Sequence, residues 1–231
     1  RGKVIVNERE LTKLPRYRIP KLRREVGVVF QDFKLFSFTL GQNIAANMNY
    51  DQERIETCMK KVSFYDRYLS MKDGLDTYLY KDISEKGLEI SGGEAQKIAL
   101  ARALYKGTPM IVLDEPTAGL DPKGRDEILA AIRKLHEERG ITVILVSHSM
   151  EDVAKLVDRI IVMHRGQVAM TGTPREVFAH PMELEKMGLA APQVSYVFAQ
   201  LKAKGYDVPT DVYTVEEAKE ALLKLVKQVK A

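Results

Sequence analysis

The amino-acid sequence predicts an α/β fold built on a mainly parallel sheet flanked by helices. Three observations carry this. Met110-Ile-Val-Leu113 is a continuous apolar run ending in two acids, the pattern of a parallel strand buried on both faces. Thr142-Val-Ile-Leu-Val146 reads as the next buried strand. Between them lies a helix signalled from end to end, Pro122–Arg139. Asp121-Pro122 opens it, Ile128, Ile132 and Leu135 share one face, and Gly140 closes it. Alternation of strand and helix is the unit of a parallel sheet.

The other elements follow in chain order. Val4-Ile-Val6 and Val26-Gly-Val-Val29 read as short strands, separated by a basic stretch containing Pro15 and Pro20. From Gly41 to about Ser70 the pattern turns helical, with Ile44, Ile55, Met59 and Val62 near the helical period. Gly93–Leu104 is a strong helix preceded by glycines. Arg159–Met163 and Gln167–Thr171 form a hairpin across Arg165-Gly166. After Pro174 the chain is helical and punctuated by Pro181, Pro192 and Pro209. Val194–Lys204 and Val215–Val229 make a helical tail. A boundary in 188–192 would separate a domain at 1–188 from a tail at 189–231.

Composition narrows the classes. A chain of 231 residues with 45% hydrophobic content can bury one sizeable core, with room for a small lobe. The net charge of +4 is too small to demand a polyanionic partner. The first 24 residues hold nine basic side chains against Glu8 and Glu10. No aromatic ladder accompanies them, so they read as a solvated surface segment rather than a nucleic-acid patch. Cys58 is the lone cysteine and sits in a helical stretch, where an ordinary packed thiol is expected. No apolar run approaches the roughly 20 residues that span a bilayer, and no apolar core follows the basic N-terminus as in a signal peptide. Work at a membrane would therefore pass through another chain.

The chemistry gathers at strand ends and one helix start. Asp114 closes the Met110–Leu113 run, where α/β sheets place their ligands, and could hold Mg²⁺. Glu115 could polarise a water that attacks a γ-phosphate. Alone, an apolar strand ending in Asp-Glu fits a structural cap as well as a catalytic site. Ser91-Gly92-Gly93-Glu94 opens the next strong helix, and two glycines let phosphate oxygens approach backbone N–H groups at its positive end. Alone, that is a glycine-rich cap. Yet it stands about twenty residues before Asp114-Glu115, Ala118-Gly-Leu-Asp121 follows at once, and Ser147-His148 ends the next strand.

This ordered set resembles the ABC ATPase family, and the resemblance covers nearly the whole chain. Val29-Phe30-Gln31 is similar to its Q-loop, Ile90-Ser-Gly-Gly-Glu94 to its signature, and Leu113-Asp-Glu-Pro116 to its Walker B motif. Ala118–Asp121 matches the D-loop and His148 the switch histidine. The signature departs in Ile90 for the usual Leu and Glu94 for the usual Gln. The resemblance implies a P-loop NTPase-like fold with a helical signature subdomain at about 36–105. It also implies ATP and Mg²⁺ as cofactors. Asp114 and Gln31 would meet the metal, Glu115 the attacking water and His148 the γ-phosphate. Ser91, Gly92, Gly93 and Glu94 would face a nucleotide held by a second ABC subunit, and Asp121 would cross that interface. His136, His164 and His180 read as surface or turn residues.

No Gly-x-x-x-x-Gly-Lys-Ser/Thr phosphate loop occurs in the sequence. In the family it lies upstream of the Q-loop, so its place is before Arg1. The expectation is that the P-loop strand is missing and that the sheet has a hole beside the Walker B strand. Residues 1–35 resemble the bacterial cell-division ABC ATPase and 36–118 exporter ATPase domains. Residues 119–231 resemble energy-coupling-factor importer ATPase subunits. A chimera, a design or a truncated gene accounts for that mixture better than one lineage. The function expected is an ATP-binding and hydrolysing subunit of an ABC membrane transporter. Its partners would be a second ABC subunit and a transmembrane subunit, and its place the cytoplasmic face of the plasma membrane. The alternatives are a non-hydrolysing chain that lends only its signature to a partner, or a soluble nucleic-acid-associated ABC protein.

Overall fold

A computed structural model describes residues 5–6, 9–10, 20 and 24–229. The basic N-terminal segment lies for the most part outside the described residues. The chain divides into two compact units, residues 1–146 and 147–231.

In the first unit, β1 (Ile5–Val6) pairs antiparallel with β2 (Arg9–Glu10). The strands β3 (Val26–Val29), β4 (Met110–Asp114) and β5 (Thr142–Val146) form a parallel sheet in that order. Val29 pairs with Leu113, Leu113 with Leu145, and Asp114 with Val146. Two expectations are corrected here. First, β4 is hydrogen-bonded on both sides, by β3 and β5, so among the described residues no gap lies beside it. Second, the strands are not buried on both faces. Ile111 and Leu113 are 1% and 2% exposed, while Val28, Ile144 and Val146 are 43%, 45% and 49% exposed on alternate positions. Side chains two apart share a face, so helices cover one face and leave the other apolar and open.

The helical stretch expected at 41–70 is made of three helices. Thr39 caps α1 (Leu40–Ala45) with a capping box through Gln42, and Ala46 ends it at φ 53°. Asp51 caps α2 (Gln52–Lys61), and Ser63, also at positive φ, separates it from α3 (Tyr65–Leu69). α4 (Gly92–Lys106) follows a 3₁₀ turn at Gly74–Asp76. Ile44, Ile55, Met59 and Ile98 are fully buried, and Cys58 is 3% exposed, the packed thiol expected. α5 (Pro122–Arg139) connects β4 to β5.

In the second unit, α6 (Met150–Leu156) precedes a hairpin of β6 (Ile160–His164) and β7 (Gln167–Gly172). Arg165 and Gly166, at φ 49° and 77°, make its two-residue turn, the left-handed pair that matches strand twist. Then come α7 (Pro174–Phe178), α8 (Pro181–Lys186), α9 (Gln193–Ala203) and α10 (Val215–Val229). Phe198 is fully buried among Val208, Val212 and Ala218, which ties the tail helices together. The boundary expected in 188–192 falls inside this unit, between α8 and α9. Among the described residues no helix is long and apolar enough to cross a membrane.

Candidate functional site

The first group of candidate side chains stands at the carboxyl ends of the parallel strands. Asp114 closes β4 and is half-buried. The N–H of Glu115 donates to the carbonyl of Val146 at 2.9 Å, which fixes the turn beyond β4 against the end of β5. Glu115 itself sits at φ 47°, a conformation that costs a non-glycine residue about 1 kcal/mol or more. The chain turns back through a bond from Ala118 N–H to the Glu115 carbonyl at 3.1 Å. Gln31 lies two residues past β3, whose last residue is level with Leu113. Gln31, Asp114 and Glu115 thus stand on one edge, where parallel sheets receive ligands.

The loop after Gln31 is pinned by a buried polar knot that spacing did not reveal. Asn43, 2% exposed, donates to the carbonyl of Phe36 at 2.8 Å and accepts from its N–H at 2.9 Å. Arg102 on α4 donates to the Asn43 carbonyl at 2.7 Å and to that of Lys34 at 3.0 Å. Burial pushes the Arg102 guanidinium below its ordinary value. Fixed donors of this kind hold segment 34–39 to the middle of α4.

The second group is the start of α4. Ser91 is the N-cap, and its Oγ accepts from Glu94 N–H at 3.3 Å while Glu94 Oε2 accepts from Ser91 N–H at 2.9 Å. This capping box engages the N–H groups of Ser91 and Glu94 and leaves aside those of Gly92 and Gly93. A Cβ built on Gly93 would meet nothing within 4 Å, and one on Gly92 only Leu120 Cδ2 at 3.8 Å. Glycine here keeps open the space over two helix-end donors. The Ser91 hydroxyl, accepting at the cap, still has its proton to donate.

Glu94 has a partner that the motif pattern does not show. Arg67 of α3 donates through Nε to Glu94 Oε1 at 2.6 Å, and through Nη1 to Ser70 Oγ at 3.1 Å. Burial of the Glu94 carboxylate raises its pKa. The bonds from Ser91 and Arg67 outweigh this, so the group is held below its ordinary value.

Asp121 opens α5, as the Asp121-Pro122 pair predicts. Its Oδ1 accepts from Gly124 N–H at 2.9 Å, which makes it the N-cap of α5, and the preceding Leu120 touches the Gly92 position. Lys97 joins α4 to α5 through Glu127. His148 belongs to the second unit, two residues past β5 and just before Ser149, the N-cap of α6. His136 Nδ1 lies 3.1 Å from the Ile141 carbonyl, His164 ends β6, and His180 lies beside Glu183.

The donor set fits Mg²⁺ better than a metal caged by protein. Among the described residues no three His, Cys, Asp or Glu side chains converge on a metal position. Mg²⁺ characteristically takes one or two carboxylates and leaves its other positions to phosphate and water. Asp114, with Gln31 on the same edge, supplies that number.

The family described as "ABC transporter" matches residues 1–118. The chain is 43% identical over 229 residues to the energy-coupling factor transporter ATP-binding protein EcfA2 of Clostridium tetani. That match covers 97% of this chain and 76% of the relative. It is also 43% identical over 216 residues to EcfA2 of Clostridium perfringens, covering 91% and 72%. Among solved structures, a bacterial Atm1-family ABC exporter with ATP bound aligns with a TM-score of 0.64 at 27% identity. The alignment covers 88% of this chain and 32% of the exporter chain, so this chain spans about a third of that protein. The likeness to EcfA2 runs through both points where the sequence reading placed a change of ancestry.

Proposed function

This chain belongs to the ABC transporter ATPase family, and from that premise we propose that it couples ATP hydrolysis to transport with two faces. One face is the strand-end edge with Gln31, Asp114 and Glu115. The other is the α4 start, which meets nucleotide held by a second ABC subunit. The observation that carries the reading is the open space over Gly92 and Gly93 beneath a closed capping box. A triphosphate oxygen needs N–H donors and room to approach, and both are present.

The roles follow from position. Asp114 and Gln31 would hold Mg²⁺, whose charge offsets that of the β- and γ-phosphates. Glu115 accepts a proton from the attacking water and turns it toward phosphorus. Its backbone bond to Val146 fixes where the carboxylate starts from. His148 donates to the γ-phosphate. From the α4 start, Ser91 Oγ and the two glycine N–H groups donate to phosphate oxygens across the subunit interface. Asp121, although it caps α5, keeps a second carboxylate oxygen for that interface. The EcfA2 relatives are named as parts of energy-coupling factor transporters, which supports a membrane-embedded partner and a place at the inner face of the plasma membrane.

The test is complementation. The Clostridium tetani EcfA2 protein, with its own signature serine replaced by arginine, cannot complete its own sites. Added wild-type chain should restore ATP turnover to it, and Ser91→Arg chain should not. No restoration by the wild-type chain would overturn the proposal.

A further inference from the structure

We infer that Arg67 is the positioning residue of the signature end of α4, and that its charge is what allows a carboxylate to stand at position 94 beside an anionic ligand. The inference rests on the reading that this end faces nucleotide phosphate. It explains the departure of the motif from the neutral Gln usual at that position.

A carboxylate in the first turn of a helix is favoured by the helix dipole and closes the capping box. The same negative charge lies three residues from Ser91 and repels any phosphate drawn to the helix end. Like charges this close at a protein surface repel one another, and salt screens the effect. A Gln would cap without that penalty. Here Glu94 Oε1 is engaged by Arg67 Nε at 2.6 Å and Oε2 by Ser91 N–H at 2.9 Å, so both oxygens are committed. The guanidinium is itself held, because Nη1 donates to Ser70 Oγ at 3.1 Å and Ser70 Oγ donates to the Arg67 carbonyl at 2.6 Å. The chain Ser70–Arg67–Glu94–Ser91 therefore reaches from α3 to the hydroxyl and N–H that shape the phosphate side of α4. The Arg67–Glu94 pair is neutral as a unit and presents to phosphate the charge that a single Gln would.

The experiment is a double-mutant cycle in the complementation assay, reading turnover against ATP concentration. Arg67→Gln should raise the half-saturating ATP concentration about five-fold. In the double variant Arg67→Gln/Glu94→Gln that value should fall back to the one for Glu94→Gln alone, because Arg67 matters only while residue 94 is charged. Arg67→Lys, which keeps the charge and loses the fork, should lie nearer the wild type than Arg67→Gln. An equal shift from Arg67→Gln with Glu or Gln at 94 would assign Arg67 to packing and overturn the inference. So would an Arg67→Gln value unchanged from the wild type while Ser91→Arg still abolishes turnover. If instead Ser91→Arg leaves turnover intact, the phosphate-facing reading itself fails.

Discussion

Single residues decide the chemistry of the α4 start. Gly93 is helical, carries no conformational strain, and has open space where a Cβ would stand. Alanine there should stabilise the chain by about 0.5 kcal/mol, because glycine is the poorer helix former. The same methyl group would fill the space that the proposed function gives to a phosphate oxygen. Gly93→Ala should thus raise the thermal midpoint slightly while lowering restored ATP turnover at least ten-fold by the arithmetic of one lost contact. A variant both stabler and fully active would show that the open space is not used.

At the scale of elements, α4 is held at its start by the capping box and in its middle by the Arg102–Asn43 knot. The first of these is pH-dependent. Glu94 is held below its ordinary value of 4.5 in the folded chain, so the unfolded chain binds its proton more readily. The stability it contributes is complete above about pH 4.5 and is lost as pH falls through the lowered folded value. Urea midpoints of the wild type and of Glu94→Gln should differ most near neutrality and converge as pH falls below 4.5 and through the lowered folded value. A difference that stays constant with pH would mean that the Glu94 charge does not support the cap.

Across the whole molecule, each unit has its own packing, and the sheet of the first unit is two-faced. Leu113 is buried, whereas Ile144 is nearly half exposed on the opposite face. Leu113→Ala should cost about 3 kcal/mol through lost burial and the cavity left behind. Ile144→Thr, which keeps β-branching, should cost no more than about 0.5 kcal/mol. Chemical denaturation of the two variants reads this directly, and equal losses would place Ile144 in a core. In the second unit Arg175 binds Asp211 at 2.6 Å and also Glu217, so α7 is tied to the segment leading into α10 and to α10 itself. These side chains are about a third to a half exposed, and such pairs contribute only a few tenths of a kcal/mol each.

The sequence by itself determined the strands, the capped helices and the order of the motifs, because each rests on local rules. Pro122–Arg139 appears with the bounds that its cap, its period and its closing glycine specify, and the Arg165-Gly166 turn is dictated by backbone conformation. Asp114, Glu115, Ser91 and the two glycines were legible because they sit at element ends that punctuation marks. Only the tertiary structure decided which faces are covered. An apolar run looks the same whether one or both sides are packed, and β4 turned out to lie between β3 and β5 with a single buried face. Arg67 was equally hidden, since 27 residues separate it from Glu94 and no periodicity links α3 to α4. Asp121 was legible as a cap, because Asp121-Pro122 opens the helix in the sequence and its Oδ1 accepts from Gly124 N–H. Local chain chemistry fixes what an element is; long-range packing fixes what each side chain meets.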